Sequence, residues 1–217
     1  MSIFTRTLAV AAGLAAIASA GQAAPASPTT GAGHWIVNLR ATDVFSDNNS
    51  VITNAAGLDS GLRAKVGYDV MPTLGITYFV ADKLALDLTL GTTHHTIRAV
   101  NAATDIKVRE QWVLPPTLTL QYHPMPAAAF SPYVGAGINY MMFYSGHDEP
   151  GFHTDLKNGV GWALQAGANV AVAGPWVLNA DAKKIFFKTN AVINAGALTS
   201  RVALDPWVLS VGFGRRF

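Results

Sequence analysis

Residues 205 to 217 read Asp-Pro-Trp-Val-Leu-Ser-Val-Gly-Phe-Gly-Arg-Arg-Phe. On an extended chain, Trp207, Leu209, Val211, Phe213 and Phe217 share one side, and Val208, Ser210, Gly212, Gly214 and Arg216 share the other. A period of two, with one large apolar face and one small or polar face, predicts a strand between two different environments. Half of the whole chain is apolar (50%) and the alternation recurs along it. Nothing is left over to cover so many apolar faces, so they are expected to meet lipid.

Working outward from this strand, seven more alternating segments can be read, at about 34–44, 68–80, 84–95, 111–122, 132–143, 160–170 and 176–186. In the third of the set, Leu84, Leu86, Leu88 and Leu90 alternate with Ala85, Asp87, Thr89 and Gly91. Three connections are short (81–83, 123–131 and 171–175) and four are longer (45–67, 96–110, 144–159 and 187–204). This predicts an all-β chain: an eight-stranded antiparallel transmembrane β-barrel with short periplasmic turns and longer extracellular loops. An even strand number places both barrel ends on the periplasmic side. Past residue 23 no apolar run reaches the length of a spanning helix.

The aromatic residues test this topology. Trp35, Tyr78, Tyr122, Trp176 and Phe217 fall near the short-turn ends of the apolar face, and Trp112, Tyr140, Trp162 and Trp207 near the long-loop ends. Two aromatic girdles are expected at the two membrane interfaces, where an apolar ring keeps a polar tip wet. The opposite face carries Arg40, Asp87, Gln121, Asp181 and Lys183, mostly in the half nearer the short turns. A barrel of this size is just wide enough for side chains to fill it, so these are expected to form a lumen plug.

The first residues place Arg6 before an apolar stretch, Leu8 to Ile17, followed by small residues. They read as a secretory signal cleaved after Ala20 or Ala23, giving a signal peptide at 1–23, a flexible lead-in at 24–32 and the barrel at 33–217. There is no cysteine, so neither a disulfide framework nor thiol chemistry is available. The formal charge is +2, and the signal carries only Arg6 of it. That is no basic field for nucleic acid.

Candidates for chemistry are few. His147, Asp148, Glu149, His153 and Asp155 cluster in the third long connection and are of the types that ligate a divalent ion, but at loose spacing, and no metal site is assigned. Ser145 beside His147 lacks an oxyanion-hole signature, so no catalytic residue and no cofactor are assigned. His94 and His95 sit at the top of a strand, where polar residues need no special role. The prolines are more informative. Pro72, Pro115 and Pro116 flank the strand that carries Gly91 and Thr92 at one height. Proline cannot donate to a ladder, so locally broken pairing, a lateral opening between the second and fourth strands, is expected there.

The chain resembles the OmpW/AlkL family of small outer-membrane barrels over about residues 34 to 217. The resemblance rests on Trp35 to Ala41 with Asp47 to Ser50, Thr77 to Leu86, Leu114 to Leu118 with Gln121 and Tyr122, Pro132 to Tyr140, Leu178 to Asp181, Asp205 to Trp207, and Arg216-Phe217. It implies a cell outer-membrane location in a Gram-negative envelope and a narrow channel for small hydrophobic molecules. Implied partners are the bilayer, lipopolysaccharide and the outer-membrane assembly machinery, with Phe217 as the assembly signal. Arg215 departs from the family pattern, which has an aromatic there. Two other classes stay open: a phage or bacteriocin receptor without transport, and a lipid-modifying enzyme.

Overall fold

A computed structural model describes residues 31–45 and 50–217. The expected signal peptide and most of the lead-in lie outside the described residues. The strands in chain order are β1 (Trp35–Phe45), β2 (Ser50–Asn54), β3 (Asp59–Val66), β4 (Asp69–Ala81), β5 (Leu84–Leu90), β6 (Thr93–Val100), β7 (Asp105–Leu114) and β8 (Thr117–Tyr122). They continue as β9 (Phe130–Asp148), β10 (Thr154–Leu156), β11 (Gly159–Ala173), β12 (Trp176–Phe186), β13 (Lys188–Ile193), β14 (Leu198–Ala203) and β15 (Trp207–Arg216).

Eight of these close a barrel. The antiparallel order is β1-β4-β5-β8-β9-β11-β12-β15, and β15 returns to β1 from Ile36↔Arg216 to Phe45↔Trp207. Closure leaves no sheet edge to manage. The remaining strands rise above the barrel as a crown, in the order β10-β13-β14-β2-β3-β6-β7, with β7 resting on the upper part of β9. The four long connections of the sequence reading are therefore mostly strand. They prolong the barrel and turn in tight hairpins, as at 55–58 and 101–104. The crown has an apolar interior of its own, built from Ile52, Ala64, Ala99, Val108 and Ala191.

Between barrel and crown most strands are interrupted at a common level: at 67–68, 91–92, 115–116, 157–158, 187 and 204–206. Only β9, 19 residues long, passes through unbroken among the described strands. The causes are local. Pro115, Pro116 and Pro206 have no N–H to pair, and Asp205 turns with φ of 21°.

The faces follow the alternation. Trp162 is 71% exposed and Leu39 65%, with Leu164, Leu178, Val211 and Phe213 on the same outward surface. A soluble core would have buried them. The inward face is polar, and space there is tight. A Cβ on Gly75 would meet the Arg40 guanidinium at 2.6 Å, and one on Gly212 would lie 2.7 Å from Arg40 Cα. These two glycines make room for a long charged side chain inside a narrow barrel.

Candidate functional site

From the short-turn end upward, the lumen is layered. Ile36, Phe79, Ala85 and Val177 form a fully buried apolar floor. At this end His123 Nε2 bonds Gln121 Oε1 at 2.9 Å, and the His123 ring lies between Phe79 and Tyr133. Arg216 is 5% exposed, and its guanidinium nitrogens have no hydrogen-bond partner among the described residues.

Above the floor lies a charged network. Arg40 faces Asp87 at 3.6 Å; Lys183 Nζ lies 2.5 Å from Asp181 and 3.9 Å from Asp87. Thr77 donates to Asp87 (2.8 Å), and Tyr133 (2.7 Å) and Gln165 (2.6 Å) donate to Asp181. Of the five residues expected as a plug, Arg40, Asp87, Asp181 and Lys183 are brought together. Gln121 instead bonds His123 below them. The sequence reading passed over Tyr133, although it shares the parity of the inward Gly137 and Met141 on β9.

The next layer is hydroxylic. Thr42 is bonded to both Thr73 (2.7 Å) and Ser210 (2.9 Å), and Thr89 donates to Asp87 (3.1 Å). Above it the lumen widens into a chamber that opens at its mouth. Its walls are mainly apolar, with Val44, Met71, Val113, Met141, Ile185 and Val208 in the lower part. Lys183 is the only member of the charged network that lines it.

At the level of Pro115 and Pro116 the ladder of the chamber wall is interrupted. Pairing of β4 with β5 ends at Leu74↔Leu90, and pairing of β3 with β6 resumes only at Val66↔Ile97. No strand pairing joins 69–73 to 91–95; side chains bridge the gap, as where the His94 N–H donates to Asp69 Oδ2 (2.7 Å). On the other flank, pairing stops at Thr89↔Thr117 and resumes in the same register at Thr93↔Val113, which sets Leu90 opposite Pro116 and Gly91 opposite Pro115. The Pro116 carbonyl accepts the Tyr140 N–H at 3.0 Å, which keeps the β9 side paired, and the carbonyls of Pro115 and Pro116 also accept from Asn139 Nδ2 at 3.0 and 3.2 Å. Thr73, Gly91, Thr93, Pro115 and Thr117 all line the chamber beside this break. Pro72 is on the outward side. Outside, rings of His94, Trp112 and Tyr144 run in series, and the Tyr144 hydroxyl bonds Thr92.

The aromatic residues of the two expected girdles are all on the outward face. Trp35 contacts Tyr78 (centroids 4.4 Å apart), and Trp176 stacks on Phe213 (5.0 Å). Arg215, the departure from the family pattern, lies over the rings of Trp176 (5.9 Å) and Phe217 (4.9 Å). There its charge interacts with aromatic faces at the barrel rim.

In the crown, two carboxylates of the loosely spaced cluster, Asp148 and Glu149, are held by cations. Arg109 donates to Asp148 (2.6 Å), and Lys107 pairs with Glu149 (2.7 Å) and Glu110 (2.9 Å). Burial raises the Asp148 pKa, but the Arg109 hydrogen bond and charge and the Thr154 N–H outweigh it and hold the carboxyl below its ordinary range.

A family model described as the OmpW family matches residues 31–217. The outer-membrane protein y4mB of Sinorhizobium fredii is 39% identical over 200 residues, covering 89% of this chain and 85% of y4mB. The crystal structure of OprG from Pseudomonas aeruginosa superposes with a TM-score of 0.80 at 30% identity, covering 86% of this chain and 97% of that one. The solid-state NMR structure of AlkL in DMPC lipid bilayers gives a TM-score of 0.71 at 26% identity, covering 90% and 96%.

Proposed function

Because the chain belongs to the OmpW family of the outer membrane, we propose that it admits small hydrophobic molecules from outside and releases them sideways into the outer leaflet. The observation that carries this reading is the chamber: apolar walls ending on a charged network, with a break in the wall beside it. A hydrophobic solute gains by entering, since apolar surface leaves water at about 25 cal/mol per Å². Going straight down would part Arg40, Lys183, Asp87 and Asp181, all nearly inaccessible to solvent. Breaking such buried pairs costs about 3–5 kcal/mol each, and the apolar floor lies beyond. Turning sideways costs no ladder bond where Pro72, Gly91, Thr92, Pro115 and Pro116 already interrupt pairing.

On this reading the two aromatic rings mark the bilayer interfaces, and the crown lies outside among lipopolysaccharide. Phe217, exposed at the barrel rim, is offered to the assembly machinery. The test is Pro115→Val with Pro116→Thr, which returns two ladder donors. Cells carrying this variant as a folded, heat-modifiable barrel should lose uptake of a naphthalene-type probe relative to the parent. Unchanged uptake would remove the lateral route; no difference between parent and protein-free cells would remove transport and leave a receptor role.

A further inference from the structure

We propose that the ligand taken by the chamber is a hydrocarbon chain ending in an oxygen acceptor, held head-down on Lys183 and the threonines around it. This rests on the hydrophobic-uptake reading above and narrows its substrate class. The lining is unevenly distributed. Apolar side chains dominate the walls, but the bottom is Thr42, Thr73, Thr89, Thr117 and Lys183. Asp87 and Asp181 do not line the chamber, so a ligand end at the bottom meets the Lys183 side chain before either carboxylate.

Thr89 and Thr117 donate to Asp87 and to the Pro115 carbonyl, so the spare donors at the bottom are those of the Thr42, Thr73 and Ser210 set and of Lys183. Thr42, Thr73 and Ser210 share two mutual hydrogen bonds, which use two of three hydroxyl hydrogens. Lys183 has three N–H groups; Asp181 takes one at 2.5 Å, and Asp87 stands at 3.9 Å, beyond hydrogen-bond distance. A hydroxyl, carbonyl or carboxylate oxygen can accept what remains. A bare alkane end meets these donors with nothing, and an ammonium end meets Lys183 with like charge. Toward the break the hydroxyls of Thr93 and Thr117 donate to the Val113 and Pro115 carbonyls, so the spare donors are confined to the chamber bottom.

The experiment uses the full barrel in DMPC nanodiscs with a naphthyl probe bound in the chamber. Displacement by 1-octanol, octanoate, n-octane and octylammonium is measured, each referred to its partition into empty nanodiscs. We expect octanol or octanoate to displace at least about fivefold more effectively than octane, with octylammonium weakest. The better of the two oxygenated ligands fixes whether the head is neutral or ionised. In Lys183→Met the preference over octane should fall toward one. Should that variant not fold, Lys183→Met with Asp181→Asn keeps the network charge-balanced and carries the same expectation. Ligands ranking by partition alone, or a preference that survives these variants, overturns the proposal and leaves hydrophobic uptake standing. A probe that never binds the chamber overturns both.

Discussion

Arg40, Lys183, Asp87 and Asp181 form a paired network inside the lumen. Arg216 is as deeply placed without such pairing. An unsatisfied buried polar group costs about 1–3 kcal/mol, so Arg216→Met should raise the unfolding midpoint of the purified barrel; a lower midpoint would mean the guanidinium is compensated in the folded state. Asp148 in the crown gives a pH dependence. Its folded pKa lies below the unfolded value, about 3.9, so its contribution is fully present above that value and is lost as pH falls through the folded one. Protection factors of residues 149–156, referred to the intrinsic exchange rate at each pH, should therefore fall on acidification past pH ~4, and Asp148→Asn should show the low protection already at pH 7. Exchange in the variant equal to the parent at pH 7 would show that Arg109 does not latch this hairpin. The charged residues of the network were legible from the sequence because a charge on the inward parity of a barrel strand has nowhere else to go. Tyr133 and His123 were not, since an inward Tyr looks like any apolar residue, and His123 lies just past its strand end.

For the strands, parity decides environment. Leu209 is on the outward face, and its neighbour Val208 lines the chamber. Leu209→Arg places a charge against lipid at about 2–4 kcal/mol near mid-bilayer, whereas Val208→Arg can reach the open chamber. The yield of heat-modifiable folded protein should be clearly lower for the first. Equal yields would mean the faces are wrongly assigned. The same parity made all eight barrel strands readable from sequence. It failed above them, where β3, β6 and β7 carry Arg63, Lys65, Arg98 and Lys107. Those strands stand clear of the outward apolar band, so no hydrophobic face is required and the alternation fades into what looks like polar loop. The break in pairing was legible because proline acts on the backbone itself. Its closure on the outside by Tyr144 and Thr92 was not, as it joins residues on different strands. Tyr144→Phe should loosen that closure and speed probe uptake; slower uptake would contradict it.

For the whole molecule, the proposed lateral route rests on a closed barrel, a charged network low in the lumen and an interrupted ladder above it. The chain has no cysteine, so a reversible staple across the break can be read without background. A Cβ on Gly91 would lie 3.2 Å from Thr73 Cβ, close to the spacing of about 3.5–4.5 Å that a disulfide spans. In Thr73→Cys with Gly91→Cys, uptake of a hydrophobic probe is measured on the same folded protein, oxidised and then reduced. The lateral route predicts that oxidation suppresses uptake and reduction restores it; a fully oxidised, folded barrel that transports as well as the reduced one would contradict it.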